Sequence, residues 1–225
     1  MSLSVTAIGC LHGHYPKLDG GDLLIVTGDL TARHTREEFY DFANWMRNQD
    51  YEDKIVIPGN HDTWFEKCDT WDIKNWLNIG EFEFLCDSGT EIIYEEDNIE
   101  LEKTIKIWGS PWSLWFEGIN PHCTAFTGTE EELADKFALI PHDVDILVTH
   151  SPPFGILDSV DKGKRLTGSL SLRNRMMEVK PRIHVFSHIH EWGGKRLDTT
   201  LTKCINCSIM NEHYQPINKP IRINL

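Results

Sequence analysis

Lys54-Ile55-Val56-Ile57-Pro58-Gly59-Asn60-His61-Asp62 is an apolar run that stops abruptly in polar chemistry. Ile55, Val56 and Ile57 are β-branched and contiguous, the pattern of a short strand buried on both faces. Pro58-Gly59 ends the run, and an amide, an imidazole and a carboxyl follow at once. The layout recurs. Residues 5–8 run into Gly9-Cys10-Leu11-His12-Gly13-His14, and residues 23–27 into Gly28-Asp29. Residues 105–108 end at Gly109-Ser110-Pro111, residues 146–149 at His150-Ser151-Pro152-Pro153, and residues 183–186 at Ser187-His188-Ile189-His190.

Helical patterns lie between the runs. Thr35-Arg36-Glu37-Glu38 has the form of a capping box, followed by Phe39, Phe42, Ala43 and Met46 at helical spacing. Residues 129–139 repeat it with Thr129 and Glu132, and residues 168–179 form a third pattern stopped by Pro181. Residues 81–107 (Phe82, Phe84, Ile92, Ile93, Tyr94, Ile99) and residues 201–225 read as strand-rich meanders. The sum predicts an α/β fold with two sheets' worth of strands and helices on their outer faces.

The 225 residues suit one domain, residues 1–225, with a full core. The net charge of −13 opposes a bulk electrostatic grip on long nucleic acid or an anionic membrane, so an anionic substrate needs a local positive charge. A metal is the obvious source. No apolar run reaches membrane-span length, the first residues lack a signal-peptide pattern, and six scattered cysteines do not make a disulfide scaffold. The expectation is a cytoplasmic protein with reduced thiols.

In open α/β sheets, ligands bind at the carboxyl ends of the strands. Five runs deliver His, Asp, Asn or Cys there, which together match a dinuclear transition-metal site with nitrogen and oxygen ligands, a neutral amide and a bridging carboxylate. The series Cys10-Leu11-His12, Gly28-Asp29, Gly59-Asn60-His61-Asp62, His150 and Ser187-His188-Ile189-His190 resembles the signature of the calcineurin-like metallophosphoesterase superfamily, D-x-H, G-D, G-N-H-[DE], H and G-H-x-H, in the same order. Trp108-Gly109-Ser110-Pro111-Trp112, Thr149-His150-Ser151-Pro152-Pro153 and Pro181-Arg182-Ile183-His184-Val185-Phe186 resemble its metallophosphoesterase-domain-containing branch, related to class III cyclic-nucleotide phosphodiesterases.

That resemblance implies a four-layer αββα sandwich and a metal-dependent phosphoesterase. The expected substrate is a small phosphodiester of nucleotide type, attacked by a metal-bridging hydroxide; a phosphomonoesterase or protein phosphatase of the same superfamily and a catalytically weak scaffold are the alternatives. It places Cys10, His12, Asp29 and His190 on a first divalent ion. Asp29, Asn60, His150 and His188 fall on a second, with His61 donating to the leaving oxygen and Asp62 orienting it. The ions would be zinc, iron or manganese. This sequence departs from the pattern at Cys10, where the family has Asp, and at Ser187, where it has Gly. A thiolate keeps the carboxylate's charge but is softer, favouring zinc or iron at the first position, or weakening it.

Four further features have ordinary readings. Cys204-x-x-Cys207 in a strand would point to opposite faces, so it reads as filler rather than a zinc site. His184 reads as core, while His14 and His122 are candidates to line a pocket. Among Trp108, Trp112, Trp115 and Phe116, Trp108 reads as packing and Trp112 stays open as a stacking surface. Lys162-Gly163-Lys164-Arg165 reads as a solvated basic loop, with a phosphate-contacting lid as the alternative.

Overall fold

The computed structural model describes residues 3–67, 81–95, 102–119 and 121–225. In chain order the first strands are β1 (Ser4–Ile8), β2 (Gly21–Thr27), β3 (Tyr51–Ile57), β4 (Glu83–Phe84), β5 (Ser88–Glu95) and β6 (Glu102–Ser110). After the short β7 (Ser113–Leu114) and β8 (Thr127–Gly128) come β9 (Ile146–Thr149), β10 (Ser159–Val160), β11 (Arg165–Leu166) and β12 (Ile183–Phe186). The chain closes with β13 (Arg196–Asp198), β14 (Lys203–Asn206) and β15 (Ile221–Asn224). The helices are α1 (Arg36–Arg47), α2 (Thr63–Lys67), α3 (Glu130–Ala138) and α4 (Leu170–Val179).

Two large mixed sheets result, one ordered β15-β1-β2-β3-β4 and the other β13-β14-β12-β9-β6-β5. In the first, β1 to β4 are parallel and β15 is antiparallel. In the second, β14, β12, β9 and β6 are parallel, with antiparallel β13 and β5 at the edges.

Period-two alternation sorts each strand between two cores. Leu23, Ile25, Ile55 and Ile57 meet Ile146, Val148, Ile183 and Val185 between the sheets. The intervening Leu24, Val26 and Val56 face α1, where Phe39, Phe42 and Met46 are buried at helical spacing. On the other side Leu147 packs with Leu133 and Phe137 of α3 and Leu172 of α4. The layering is therefore helix, sheet, sheet, helix, as the resemblance implies. Each such apolar side chain removed from water contributes about 1.5–3 kcal/mol.

Both predicted capping boxes form: Thr35 with Glu38 starts α1, and Thr129 with Glu132 starts α3. Ser169 caps α4, which ends at Lys180 in a left-handed conformation just before Pro181. Two expectations change. Residues 81–107 do not form a meander: β4 extends the first sheet, while β5 and β6 pair as a hairpin in the second. The register there runs from Ser88 opposite Gly109 to Glu95 opposite Glu102, and Ile99 lies outside the described residues. Residues 201–225 likewise split, β14 lying parallel to β12 and β15 antiparallel to β1. Short apolar runs do not encode which sheet they join. Helix α2, directly after Asp62, was not expected either; a single turn carries too little periodicity to read.

Cys204 faces Met176 and Phe186 on the helix side, whereas Cys207 lies in the core between the sheets. His184 is fully buried among the same outer residues, its Nε2 2.8 Å from Thr149 Oγ1 and its Nδ1 3.3 Å from Met176 Sδ.

Candidate metal centre

Thr27 is one of the residues that join the two sheets at the carboxyl edge. Thr27 ends β2, and its carbonyl accepts from Ser187 Oγ at 2.9 Å and lies 2.9 Å from His150 Nδ1. Since Ser187 follows β12 and His150 follows β9, these contacts draw the loops of the second sheet onto those of the first. Gly28 and Gly59 make the approach possible. A Cβ at Gly59 would lie 2.4 Å from Asp29 Oδ1 and 2.6 Å from His150 Cε1, and Gly28 has φ +95° with its Cβ direction against His150 Nδ1. Only glycine tolerates both demands.

Asp29 sits at the centre, 2% exposed. Its Oδ2 lies 3.5 Å from His12 Nε2 and 3.9 Å from Cys10 Sγ; its Oδ1 lies 3.4 Å from His150 Nε2 and accepts from the His61 backbone N–H at 3.0 Å. His12 Nε2 and His190 Nε2 are 3.4 Å apart. One donor atom from each of Cys10, His12, Asp29 and His190 lies within 4.8 Å of the others, and the same holds for Asp29, His150 and His188. Asn60 Oδ1 adjoins the second group, 2.9 Å from His150 Nε2. All seven side chains expected at the metals thus converge, with Asp29 common to both groups.

Local backbone strain marks the same positions. Cys10, His12, Asp29 and His188 adopt φ of 49°, 43°, 53° and 62°, a left-handed region that costs non-glycine residues of order 1–3 kcal/mol and persists only where the surroundings enforce it. Ser187, standing where the family pattern has Gly, lies outside that region, so the substitution adds no such strain.

The donor chemistry suits divalent cations. Thr27's carbonyl can only accept, so His150 Nδ1 carries a proton, and neutral His150 must present a lone pair at Nε2. Asn60 Nδ2 donates to the Cys123 carbonyl at 3.2 Å, which turns Oδ1 toward that same lone pair. When His150 is neutral, Asp29 Oδ1 completes a set of three acceptors facing one another without a hydrogen between them. A cation resolves this arrangement. Burial also holds His12 and His188 down to about 3 and His190 to about 4, so the rings are neutral and competent to ligate. His150 is raised: burial pulls it down, but the Asp29 charge and its hydrogen bonds outweigh that. Asp29 is held well below the carboxylate range; its burial acts the other way and is overcome by His150 and His61. Burial, with the Asp29 charge, pushes the Cys10 thiol well up, while the His188 backbone N–H donates to Cys10 Sγ at 3.0 Å and favours the thiolate.

Asp62 is placed differently from the expectation. Its carboxylate accepts from the backbone N–H of Leu30, Thr31 and Gly59 and from Thr31 Oγ1, at 2.8–3.1 Å. It ties the loop after β2 to the loop after β3 and does not orient the His61 ring. Burial and the Asp29 charge push it up to about 6, against the pull of those N–H donors. His61 Nδ1 instead faces Cys123 Sγ at 3.6 Å, and its ring stacks parallel to that of His34.

A calcineurin-like phosphoesterase family model matches residues 3–192. The chain belongs to that family. Metallophosphoesterase domain-containing protein 1 of Homo sapiens is 37% identical over 216 residues, covering 91% of this chain and 65% of the human protein. A UPF0046 protein of Caenorhabditis elegans is 34% identical over 242 residues, with 95% of this chain and 58% of that protein covered. The chain therefore spans less than two thirds of either relative. Among solved structures, TT1561 of Thermus thermophilus superposes with a TM-score of 0.65 at 12% identity, covering 100% of this chain and 99% of its own. Phosphopantetheinyl hydrolase of Mycobacterium tuberculosis does so at 0.63 and 16%, with 100% and 96% covered. At these identities the likeness concerns the fold. The two donor groups are where the divalent ions that such a phosphoesterase family implies would sit.

A cleft of about 210 Å³ opens over the metal edge, lined by Asp29, Asn60, His61, His188 and His190 below and by Trp115, Phe116, Ile119, Arg165 and Tyr214 around it. His14 and His122 are exposed and do not line it. Trp112 is committed elsewhere: its Nε1 donates to Asp87 Oδ2 at 2.7 Å and Lys136 Nζ sits 4.3 Å over its ring. Of these two tryptophans, Trp115 is the one that lines the cleft. The basic stretch is an exposed hairpin turn between β10 and β11, and of its residues Arg165 reaches the cleft lining. Sequence reading missed Tyr214, whose ring lies 5.0 Å from that of His12 and 4.8 Å from that of His190. A lone tyrosine in a turn carries no spacing signal. Among the described residues, no helix is long and apolar enough to cross a membrane.

Proposed function

We propose that this chain hydrolyses phosphodiesters of small, nucleotide-type substrates. The supporting observation is the single carboxylate, Asp29, shared by two donor groups at the floor of a cleft that also presents His61. When bound there, two divalent ions, zinc, iron or manganese, would supply positive charge to non-bridging phosphoryl oxygens and acidify a water nucleophile. Cys10 favours zinc or iron in the first group. His61 is the side chain placed to give a hydrogen to the departing oxygen.

The rim supports a diester of modest charge. Glu191 and Glu212 line the cleft beside the cationic Arg165. With a net charge of −13, they disfavour polyanions and long nucleic acid. A diester carries one negative charge and a monoester about two, so the same field discriminates between them. Trp115, 48% exposed, offers a face on which a base could stack, worth about 1–3 kcal/mol. The five described cysteines are free thiols, and a thiol ligand is best kept reduced in the cytoplasm, where we place the activity.

The test compares bis(p-nitrophenyl) phosphate with p-nitrophenyl phosphate, using metal-stripped protein refilled with manganese, iron, zinc or nickel. Faster diester turnover is expected. Preference for the monoester would make the chain a phosphomonoesterase, and no turnover with any metal would make it a binding scaffold.

A further inference from the structure

A catalytic histidine usually takes its orientation from a carboxylate. Here Asp62, the acidic neighbour in sequence, is saturated by four backbone and hydroxyl donors and has no lone pair to spare for an imidazole. The groups that do meet His61 come from elsewhere. Cys123, in the loop before β8, brings Sγ to 3.6 Å from Nδ1. His34, just ahead of α1, lays its ring against that of His61 with centroids 5.5 Å apart and planes within 7°. The Nδ1 of His34 is buried without a hydrogen-bond partner among the described residues.

One donor atom from each of His34, His61 and Cys123 lies within 4.8 Å of the others, which raises the question of a third cation. The ring planes answer it. Imidazole lone pairs lie in the ring plane, so two parallel, stacked rings cannot aim both at one ion. The cluster holds a ring in place instead.

We infer that Cys123 and His34 are the positioning residues of His61: the thiol hydrogen of Cys123 is given to Nδ1, leaving the ring's proton on Nε2 for the substrate, and His34 blocks rotation of the ring by stacking on it. The inference rests on the reading of His61 as donor to the leaving oxygen. The Cys123 carbonyl meanwhile accepts from Asn60 Nδ2. One residue thus fixes both the amide that faces His150 and the ring of His61.

The test uses two esters of thymidine 5′-phosphate that differ only in the group expelled, p-nitrophenyl and unsubstituted phenyl. The p-nitrophenolate leaves without help, whereas phenolate needs a proton donor more. Cys123→Ala and His34→Leu should each lose about tenfold more kcat on the phenyl ester than on the p-nitrophenyl ester, with KM and bound metal unchanged. His61→Ala should show the same bias more strongly. Equal losses on both esters for Cys123→Ala and His34→Leu, beside a biased loss for His61→Ala, would overturn the inference and leave the role of His61 standing. An unbiased loss for His61→Ala would overturn both. Imidazole nitrogen NMR on the zinc-loaded protein gives a readout that needs no turnover. Wild type should carry the His61 proton on Nε2, and Cys123→Ala should give a tautomer mixture; an unchanged tautomer contradicts the assignment.

Discussion

The two donor groups that share Asp29 are built by different means. His150, at the heart of the second, is completely buried, anchored through Nδ1 to Thr27, and opposed by an amide that Cys123 holds in orientation. Its geometry exists because hydrogen bonds from both sheets impose it. The first group relies on Cys10, a buried thiol whose proton is hard to remove, and on His12 and His190, whose rings lie against Tyr214 at the cleft. A nearby cation favours a thiolate that burial otherwise disfavours. The second group would thus be organised before an ion arrives, whereas the first would need an ion to favour its thiolate.

Asp29→Ala removes what the two groups have in common. Both ions should be lost, and phosphodiester turnover should fall by at least about 10⁴-fold. Retention of two ions, measured by elemental analysis, would show that the groups are independent. Cys10→Asp acts on one group only. The variant should keep two ions and shift the preference of the first position from zinc or iron toward manganese, changing the ratio of manganese- to zinc-supported rates about tenfold. An unchanged ratio would mean that Cys10 is a buried thiol and not a ligand.

Asp62→Ala leaves the N–H groups of Leu30, Thr31 and Gly59 without their acceptor. It should cost about 1–3 kcal/mol per stranded donor that water cannot reach, read as a lower denaturation midpoint in urea. Because both loops tied by Asp62 carry second-group residues, metal release should accelerate in parallel. Stability loss without faster release would separate fold from site.

The smallest effect contrasts the centre with His184, a histidine equally buried on the outer face of the same sheet. Burial lowers its pKa to about 3. The folded ring refuses a proton that the unfolded chain accepts below about pH 6.5. Its contribution is therefore complete above 6.5 and is lost as pH falls toward 3, by about 1.4 kcal/mol for each pH unit. In metal-stripped protein, His184→Leu should flatten the fall in stability between pH 6.5 and 4.5; a parallel fall in both proteins would refute the assignment.

The fold was readable wherever a strand was buried on both faces and ended in Gly or Pro, as in Ile55-Val56-Ile57-Pro58-Gly59. Caps with an explicit side-chain partner, such as Thr35 with Glu38, were equally plain. Sheet membership of β4 and β15 was not, because pairing across the chain depends on partners far away in sequence. The metal-edge residues were legible because each follows a strand in a recognisable order. The surroundings of His61 were not. Asp62 is adjacent in sequence but its carboxylate is captured by the neighbouring loop, while Cys123 and His34 arrive from segments with no motif at all. Likewise Trp115, rather than Trp112, faces the cleft, because Asp87 pins the latter. Motifs report which residues approach a centre, and tertiary hydrogen bonding decides what each does there.

The most direct test of the shared-carboxylate centre is anomalous diffraction from crystals of protein purified without chelator and supplied with zinc. Two ions should appear on either side of Asp29, one contacting Cys10, His12 and His190 and the other Asn60, His150 and His188. A single ion, or metal bound away from Asp29, would contradict the account.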